Sequence, residues 1–535
     1  MRRSMLIGLL IAAMSMGWMA VRADDQSYSG RLDNSQPTFS VTFDLAEGDS
    51  VYISADATSG DLDTYLVLHD PVGIVVAEND DRDFDQLNSA LGHSARTDGM
   101  YTVILSRFEE DMSGGYHLSI LVGDASVLEN LDTQSTEFTL SGSQLLLDTA
   151  HFRIHYTLEG TDAVTEAFVR HVGKAMEEVW RKQVMELGWP APPSDGRDGG
   201  DARMDVYLMD LLDDDGNGIM GAARAGHQFG DNPSTAAVEA YASSTLLRMD
   251  NDFEELAYQG DPLDLMHSTA AHEFHHAIQH GYDIDDLTWY AEASAVWMEA
   301  QTFPKTRDAA GYAEYAYRYP ELCFGSTNDP DGGMVVYGEW MFIQSLVDRY
   351  GQKALFKLWN NIAQYDGWEA LAQTLVFFDD SIPNALARYH IQNIARDYTF
   401  APDFGGSSVW LSDTLSRAGR IQGYGVQELG ANYIAFDPPQ GTYRVDLVDD
   451  GTLELWAVGV ADGEAVAFPL GRGGVVSSAG YDYLYLMVFN PAYQDDLDNC
   501  VYTNYALDVT PTRAAVASSA AHTWDAKYFV PLTGE

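Results

Sequence analysis

Cysteine is nearly absent: Cys323 and Cys500 are the two cysteines in 535 residues. That excludes a disulfide framework and any cysteine-rich metal cluster. The two either form one long-range bridge or stay as buried thiols. Lysine is scarce too, six residues within a total of 30 Lys+Arg, against 81 Asp+Glu. The formal net charge of −51 repels phosphate, so nucleic acid and anionic membrane surfaces are excluded as main ligands. An acidic, lysine-poor composition suits either an exported protein in salty surroundings, where carboxylates hold water and salt screens their repulsion, or ordinary solubility with some calcium binding. No apolar run reaches the ~20 residues needed to span a bilayer. A hydrophobic content of 46% nevertheless rules out a disordered acidic chain. At roughly 150 residues per domain, two to four domains fit.

The N-terminus reads as an address. Arg2 and Arg3 precede an apolar run, Met5 to Met19, and Val21-Arg22-Ala23 offers small residues at the cleavage positions. The pattern is that of a signal peptide, residues 1–23, cut after Ala23. The expected product is exported (extracellular, or periplasmic in a cell with two membranes) and carries no stable membrane anchor.

The rest divides in three. Residues 27–122 alternate apolar and polar positions in short runs such as Phe39-Ser40-Val41-Thr42-Phe43 and Tyr101-Thr102-Val103-Ile104-Leu105, which predicts a β-sandwich. Residues 124–147 read as a linker. Residues 148–425 mix strands and helices first and turn mostly helical later, an α+β region. Apolar positions at helical spacing predict helices over 162–187, 263–281 and 288–303. Residues 236–249 look extended, and the expectation is an edge strand that pairs with a substrate backbone. From 426 to 535 strands return as a C-terminal β-sandwich.

The chemistry gathers at residues 272–299. His272-Glu273-Phe274-His275-His276 is an H-E-x-x-H motif in a helical stretch. Residues four apart share a helix face, so His272 and His276 can offer imidazoles to one Zn²⁺, with Glu273 beside the open coordination position. Catalytic zinc takes a third protein ligand. Position 282, where a third histidine of a longer motif falls, is Tyr. His280 is one turn past His276, but three turns of a single helix wrap a tetrahedral ion poorly. His275 faces away from the pair and reads as packing. Asp213-Asp214-Asp215-Gly216-Asn217-Gly218 has the D-x-D-x-N-G spacing of a calcium loop, offering Asp213, Asp215 and Asn217. Position 12 of such a loop is Arg224 rather than Glu, so it is either a looser calcium site or an acidic turn.

Two resemblances sharpen these readings. Gly48-Asp49, Gly60-Asp61-Leu62-Asp63-Thr64-Tyr65-Leu66, Asn79-Asp80-Asp81, Asp98-Gly99-Met100-Tyr101 and Gly115-Tyr116 resemble the bacterial pre-peptidase C-terminal (PPC) domain. That likeness implies a non-catalytic companion of a secreted peptidase. It makes Asp63, Asp80 and Asp81 candidate calcium ligands, if they do more than shape turns. Trp289-Tyr290-Ala291-Glu292-Ala293-Ser294-Ala295 resembles the W-x-x-E-G-x-A segment of gluzincin metallopeptidases, with Ala293 where Gly is usual. The resemblance implies a zincin-like fold for 148–425, with Glu292 as the third zinc ligand. Glu299 lies seven residues on, on nearly the same face, where a carboxylate could accept a hydrogen bond from a ligand histidine or simply meet solvent. Tyr337, in Val335-Val336-Tyr337-Gly338-Glu339-Trp340, is placed like the oxyanion-stabilising Tyr of gluzincin aminopeptidases and their kin.

The implied activity is a secreted zinc-dependent endopeptidase acting on a protein or peptide, with zinc-activated water, Glu273 as general base and Tyr337 at the oxyanion. Two alternatives stand beside it. One is a calcium-dependent binding or surface protein carrying an inert peptidase domain. The other is an aminopeptidase, for which no amine-gripping motif is found.

Overall fold

The computed structural model describes residues 26–80, 88–109, 112–124, 126–128, 138–196, 198–212, 218–232, 234–254, 256–284, 286–404, 406–514 and 521–534. The expected signal peptide, Asp81, and the calcium candidates Asp213, Asp215 and Asn217 lie outside the described residues. The protein has β-sandwich sheets near both ends and a helical middle, and it divides into two compact units, Met1–Asn130 and Leu131–Glu535.

In the first unit, β1 (Gln26–Leu32), β8 (Gly114–Gly123), β3 (Ser50–Gly60) and β6 (Ser89–Ser94) form one antiparallel sheet. The second sheet holds β2 (Thr38–Leu45), β7 (Gly99–Arg107), β4 (Thr64–His69) and β5 (Val75–Asn79). Alternation does the work expected of it. Leu66 and Leu68 of β4 and Val103 and Leu105 of β7 are fully buried, as are Val51, Ile53, Leu118 and Ile120 of the facing sheet. The apolar faces of the two sheets close on each other.

The second unit begins with a mixed five-stranded sheet in the order β12 (Gly221–Gly230), β13 (Ala242–Asp250), β11 (Met204–Met209), β10 (Phe152–Tyr156), β9 (Leu145–Asp148). β10, β11 and β13 are parallel, while β12 and β9 run antiparallel to their neighbours. The stretch 236–249 is therefore not an edge. Its strand part is β13, paired on both sides, and the edge strand is β12. The sequence of β12 starts Gly221-Ala222-Ala223, has no β-branched residue and a single Phe, Phe229, so its pairing is decided by β13 rather than by local propensity.

Helices α1 (Glu166–Trp180) and α2 (Pro262–His280) cover one face of this sheet. Phe274 of α2 touches Phe152 of β10 and Trp180 of α1, with ring centroids 5.6 and 5.7 Å apart. The remaining helices are α3 (Thr288–Thr302), α4 (Asp308–Arg318), α5 (Val335–Gly338), α6 (Trp340–Tyr350), α7 (Lys353–Ile362), α8 (Trp368–Phe377) and α9 (Ile382–Ala395). Among the described residues no helix is long and apolar enough to cross a membrane.

The C-terminal sheets have the orders β14 (Asp413–Leu415), β16 (Ala431–Phe436), β21 (Tyr483–Phe489), β18 (Glu454–Ala461), β19 (Glu464–Gly471), β23 (His522–Asp525), and β15 (Gly419–Gln422), β22 (Ala506–Pro511), β17 (Thr442–Val448), β20 (Gly473–Ser477). The larger sheet is buried on both faces. Along β21, Leu484, Leu486 and Val488 enter the sandwich core, while Tyr485, Met487 and Phe489 join the core of the helices. The helical region and this sheet thus share one apolar core. Of the two fates left open for the cysteines, the bridge is the one formed: Cys323 and Cys500 are disulfide-bonded across a separation of 177 residues.

Candidate metal centre

Helix α2 starts cleanly. Asp261 caps it by accepting from Leu263 N–H, and Pro262 occupies the first turn, where no amide hydrogen is needed. From Leu265 onward nearly every side chain is buried, so polar groups on this helix need partners inside the protein.

His272 and His276 sit one turn apart with ring centroids 4.7 Å apart. Glu292, from α3, faces both. Its Oε2 lies 3.1 Å from His272 Nε2 and 3.7 Å from His276 Nε2. One ligand atom from each of the three residues falls within 4.8 Å of the others. The far side of each ring is tied down. His272 Nδ1 donates to Glu299 Oε1 at 2.7 Å, and His276 Nδ1 donates to Gln279 Oε1 at 2.6 Å. These bonds engage Nδ1 of each ring and turn both Nε2 atoms toward Glu292, to which His272 Nε2–H donates in the absence of a metal.

The electrostatics follow from burial opposed by pairing. Burial pushes the His272 imidazolium down, but Glu292 and Glu299 outweigh it and hold its pKa well above the ordinary value. Burial likewise opposes the charge on Glu292, and the two histidines outweigh it, leaving that carboxyl below the usual range. Glu273 behaves differently. Burial raises its pKa, and the neighbouring histidines only partly offset this. Its carboxylate accepts a backbone hydrogen bond from Ala223 of β12. The Glu273 carboxyl is thus held beside the histidine pair and tied to the sheet edge, with its proton affinity raised by burial.

Tyr337 stands at the start of the α5–α6 turn. Its ring lies nearly parallel to that of His272 at 5.9 Å and contacts Tyr312 of α4 at 5.4 Å. Burial, then the Glu292 charge and a hydrogen bond to it, push the phenol up, so it stays a donor. The sequence-derived residues His272, Glu273, His276, Glu292, Glu299 and Tyr337 therefore meet in one place. His275 and His280 do not join them. His275 is fully buried against Trp189 and Gln183, and burial keeps it neutral. His280 bonds Thr245 instead, and burial lowers it to about 3.

Two further residues of the site stand out only in the folded structure. Gln279 is three residues past His276, a spacing that shares its helix face. Its amide is oriented by donating to Ala291 O and Ser294 Oγ at 3.0 and 2.9 Å. Gly221 is the second. A Cβ there would meet Thr269 Cγ2 at 2.7 Å, Glu273 Cγ at 2.9 Å and the Arg248 carbonyl at 3.1 Å. Only glycine lets the edge strand approach the α2 face this closely.

The model of the Family of unknown function (DUF6055) matches residues 171–448, more than half of the 535 residues, and the chain belongs to that family. No curated protein matches it. Among solved structures it is similar to the pre-peptidase C-terminal domain of a collagenase from Bacillus anthracis, at 20% identity over 20% of this chain and 99% of that one, TM-score 0.17. It is also similar to PliG, a periplasmic inhibitor of g-type lysozyme. The Aeromonas hydrophila protein shows 12% identity over 20% of this chain and 93% of that one, TM-score 0.16. The Salmonella Typhimurium protein shows 14% identity over 20% and 96%, TM-score 0.15.

Proposed function

We propose that the protein is an exported zinc endopeptidase of the gluzincin type, with 148–425 as its zincin-like catalytic region and 27–122 as a PPC-like companion. The observation that carries this is the convergence of His272 Nε2, His276 Nε2 and the Glu292 carboxylate, with Glu273 alongside. A two-imidazole, one-carboxylate donor set suits Zn²⁺. Both imidazoles present Nε2 because Nδ1 is engaged elsewhere. His276 and Glu292 also keep partial side-chain exposure, 13% and 17%, so a substrate can reach them.

When bound, zinc supplies a Lewis acid for the scissile carbonyl and lowers the pKa of a water. Glu273 takes a proton from the attacking water and later delivers it to the leaving amine. Tyr337 turns its O–H from Glu292 toward the developing oxyanion. β12 is the outer strand of its sheet, the position at which an extended peptide adds to a sheet edge, and Ala223 on that strand also holds Glu273. Export is supported by the Arg2–Ala23 segment and by the Cys323–Cys500 bond, since such bonds persist in oxidising compartments.

The test is digestion of casein and a peptide library by purified protein with and without a chelator, beside zinc analysis. The expected result is chelator-sensitive internal cleavage, one zinc per chain, and a Glu273→Gln variant that keeps the metal and loses hydrolysis. Full activity in that variant would sink the assignment.

A further inference from the structure

The disulfide lies beside a loop that the proposed chemistry leaves unused. Cys323 follows α4 and opens the segment that leads to α5 and Tyr337. This segment is strapped onto the C-terminal sheet at successive points. Ala431 N–H donates to Pro320 O at 2.7 Å, Gln427 N–H to Glu321 O at 2.9 Å, Cys323 N–H to Gln427 Oε1 at 2.9 Å and Phe324 N–H to Glu428 O at 3.1 Å. Ser326 Oγ donates to Leu497 O at 2.9 Å, and the same Glu428 accepts from Val501 N–H at 3.0 Å, on either side of Cys500. The bridge closes this ring of contacts.

From there the path to Tyr337 is short. Gly325 N–H donates to Glu339 Oε1 at 2.8 Å. Glu339 is 2% exposed and stands two residues past Tyr337. Gly325 adopts φ +86° and sits where a Cβ would strike the Trp289 indole at 2.5 Å, so the loop is seated on the first turn of α3. On the other side, a Cβ on Gly338 would meet Tyr312 O at 2.6 Å and Ala316 N at 2.8 Å, so α5 is wedged against α4. The Tyr337 ring is held between these contacts. The histidines and Glu292 have separate anchors. Glu299 and Gln279 hold the rings, and α3 is pinned by Trp297 Nε1 donating to Gln344 Oε1 at 2.8 Å and Tyr290 O–H donating to Gly367 O at 2.9 Å.

We infer that Cys323–Cys500, acting through Ser326, Gly325 and Glu339, is a positioning cross-link that fixes Tyr337 over the metal centre, so that the C-terminal β region completes the site. The role given to Tyr337 rests on the peptidase reading; the mechanical link does not.

The experiment uses the full chain. Hydrogen exchange is followed in the native protein and in a Cys323→Ala/Cys500→Ala variant, and turnover and zinc content are measured in both, with and without Tyr337→Phe. The expected result is faster exchange over 324–343, by about tenfold or more, with α2 and α3 unchanged. The kcat falls by about tenfold or more while KM and zinc content stay within about twofold, because a misplacement on the ångström scale is costly for a transition-state group. In the Tyr337→Phe background, removing the bridge costs no further kcat. Unchanged exchange over 324–343, or an equal loss of kcat in both backgrounds, overturns the proposal. If the double variant does not fold, reduction of the folded native protein and Ser326→Ala, which cuts the same strap, read the same segment. If the native protein shows no chelator-sensitive cleavage, the peptidase reading fails, and exchange alone decides the link.

Discussion

Glu299 of α3 accepts a 2.7 Å hydrogen bond from His272 Nδ1 of α2, and both side chains are almost wholly buried. The bond joins two helices and sets the face His272 turns to Glu292. Burial raises the Glu299 carboxyl to about 8, with the His272 contact pulling the other way.

Replacing Glu299 with Gln keeps a hydrogen-bond acceptor of the same shape but removes a carboxyl that can ionise. Zinc affinity should fall by about 10–100-fold, with activity recovering at saturating zinc. Competition against a chromophoric chelator reads this directly. Unchanged affinity means Glu299 only fills space.

Tyr337→Phe removes one donor and little volume. The expected loss is about 10²–10³ in kcat with KM nearly constant, as for deletion of an oxyanion donor. Steady-state kinetics on a peptide found in the library screen checks it, and a pure KM effect would assign the hydroxyl to substrate binding instead.

Gly221→Ala tests the β12 approach. The added Cβ collides with Thr269, Glu273 and a backbone carbonyl, so strand and helix must separate. Overpacking of this kind costs about 1–3 kcal/mol. Thermal unfolding should show that loss, and cleavage should weaken while zinc content holds. A variant as stable and active as the native protein would remove β12 from the site.

His93, in β6, should make the first unit acid-sensitive. It is 2% exposed, neither ring nitrogen has a hydrogen-bond partner among the described residues, and burial lowers its pKa to about 4. The folded state therefore binds this proton less well than the unfolded chain does. Its contribution is full above the ordinary histidine value and is lost as pH falls from about 6.5 toward 4, by about 3 kcal/mol. Hydrogen exchange in β3 and β6 at descending pH should report this, and His93→Leu should flatten the profile. An unaltered profile in that variant shifts the cause to the carboxylates.

Helical periodicity is local, and so the grouping of the candidate site residues was legible in the sequence. The spacing of His272 and His276, the seven-residue step from Glu292 to Glu299, and Tyr337 at a helix start all meet in the folded protein because α2, α3 and α5 form where the pattern places them. Sheet edges are not local. Whether β12 or β13 lies outside depends on which strand finds a second partner, and the Gly-Ala run of β12 acquires its place from α2 packing and β13 pairing. Gln279 was hidden for a related reason: an amide becomes a histidine's partner only when Ala291 and Ser294 of the next helix orient it. The cysteine pair was undecided until the chain closed over 177 residues, since proximity at that range is tertiary. By itself the sequence determined the residue types of the candidate site, their helix face and the net charge of −51. Only the tertiary structure decided what lies beside them, because long-range packing selects the partners that a local repeat leaves open.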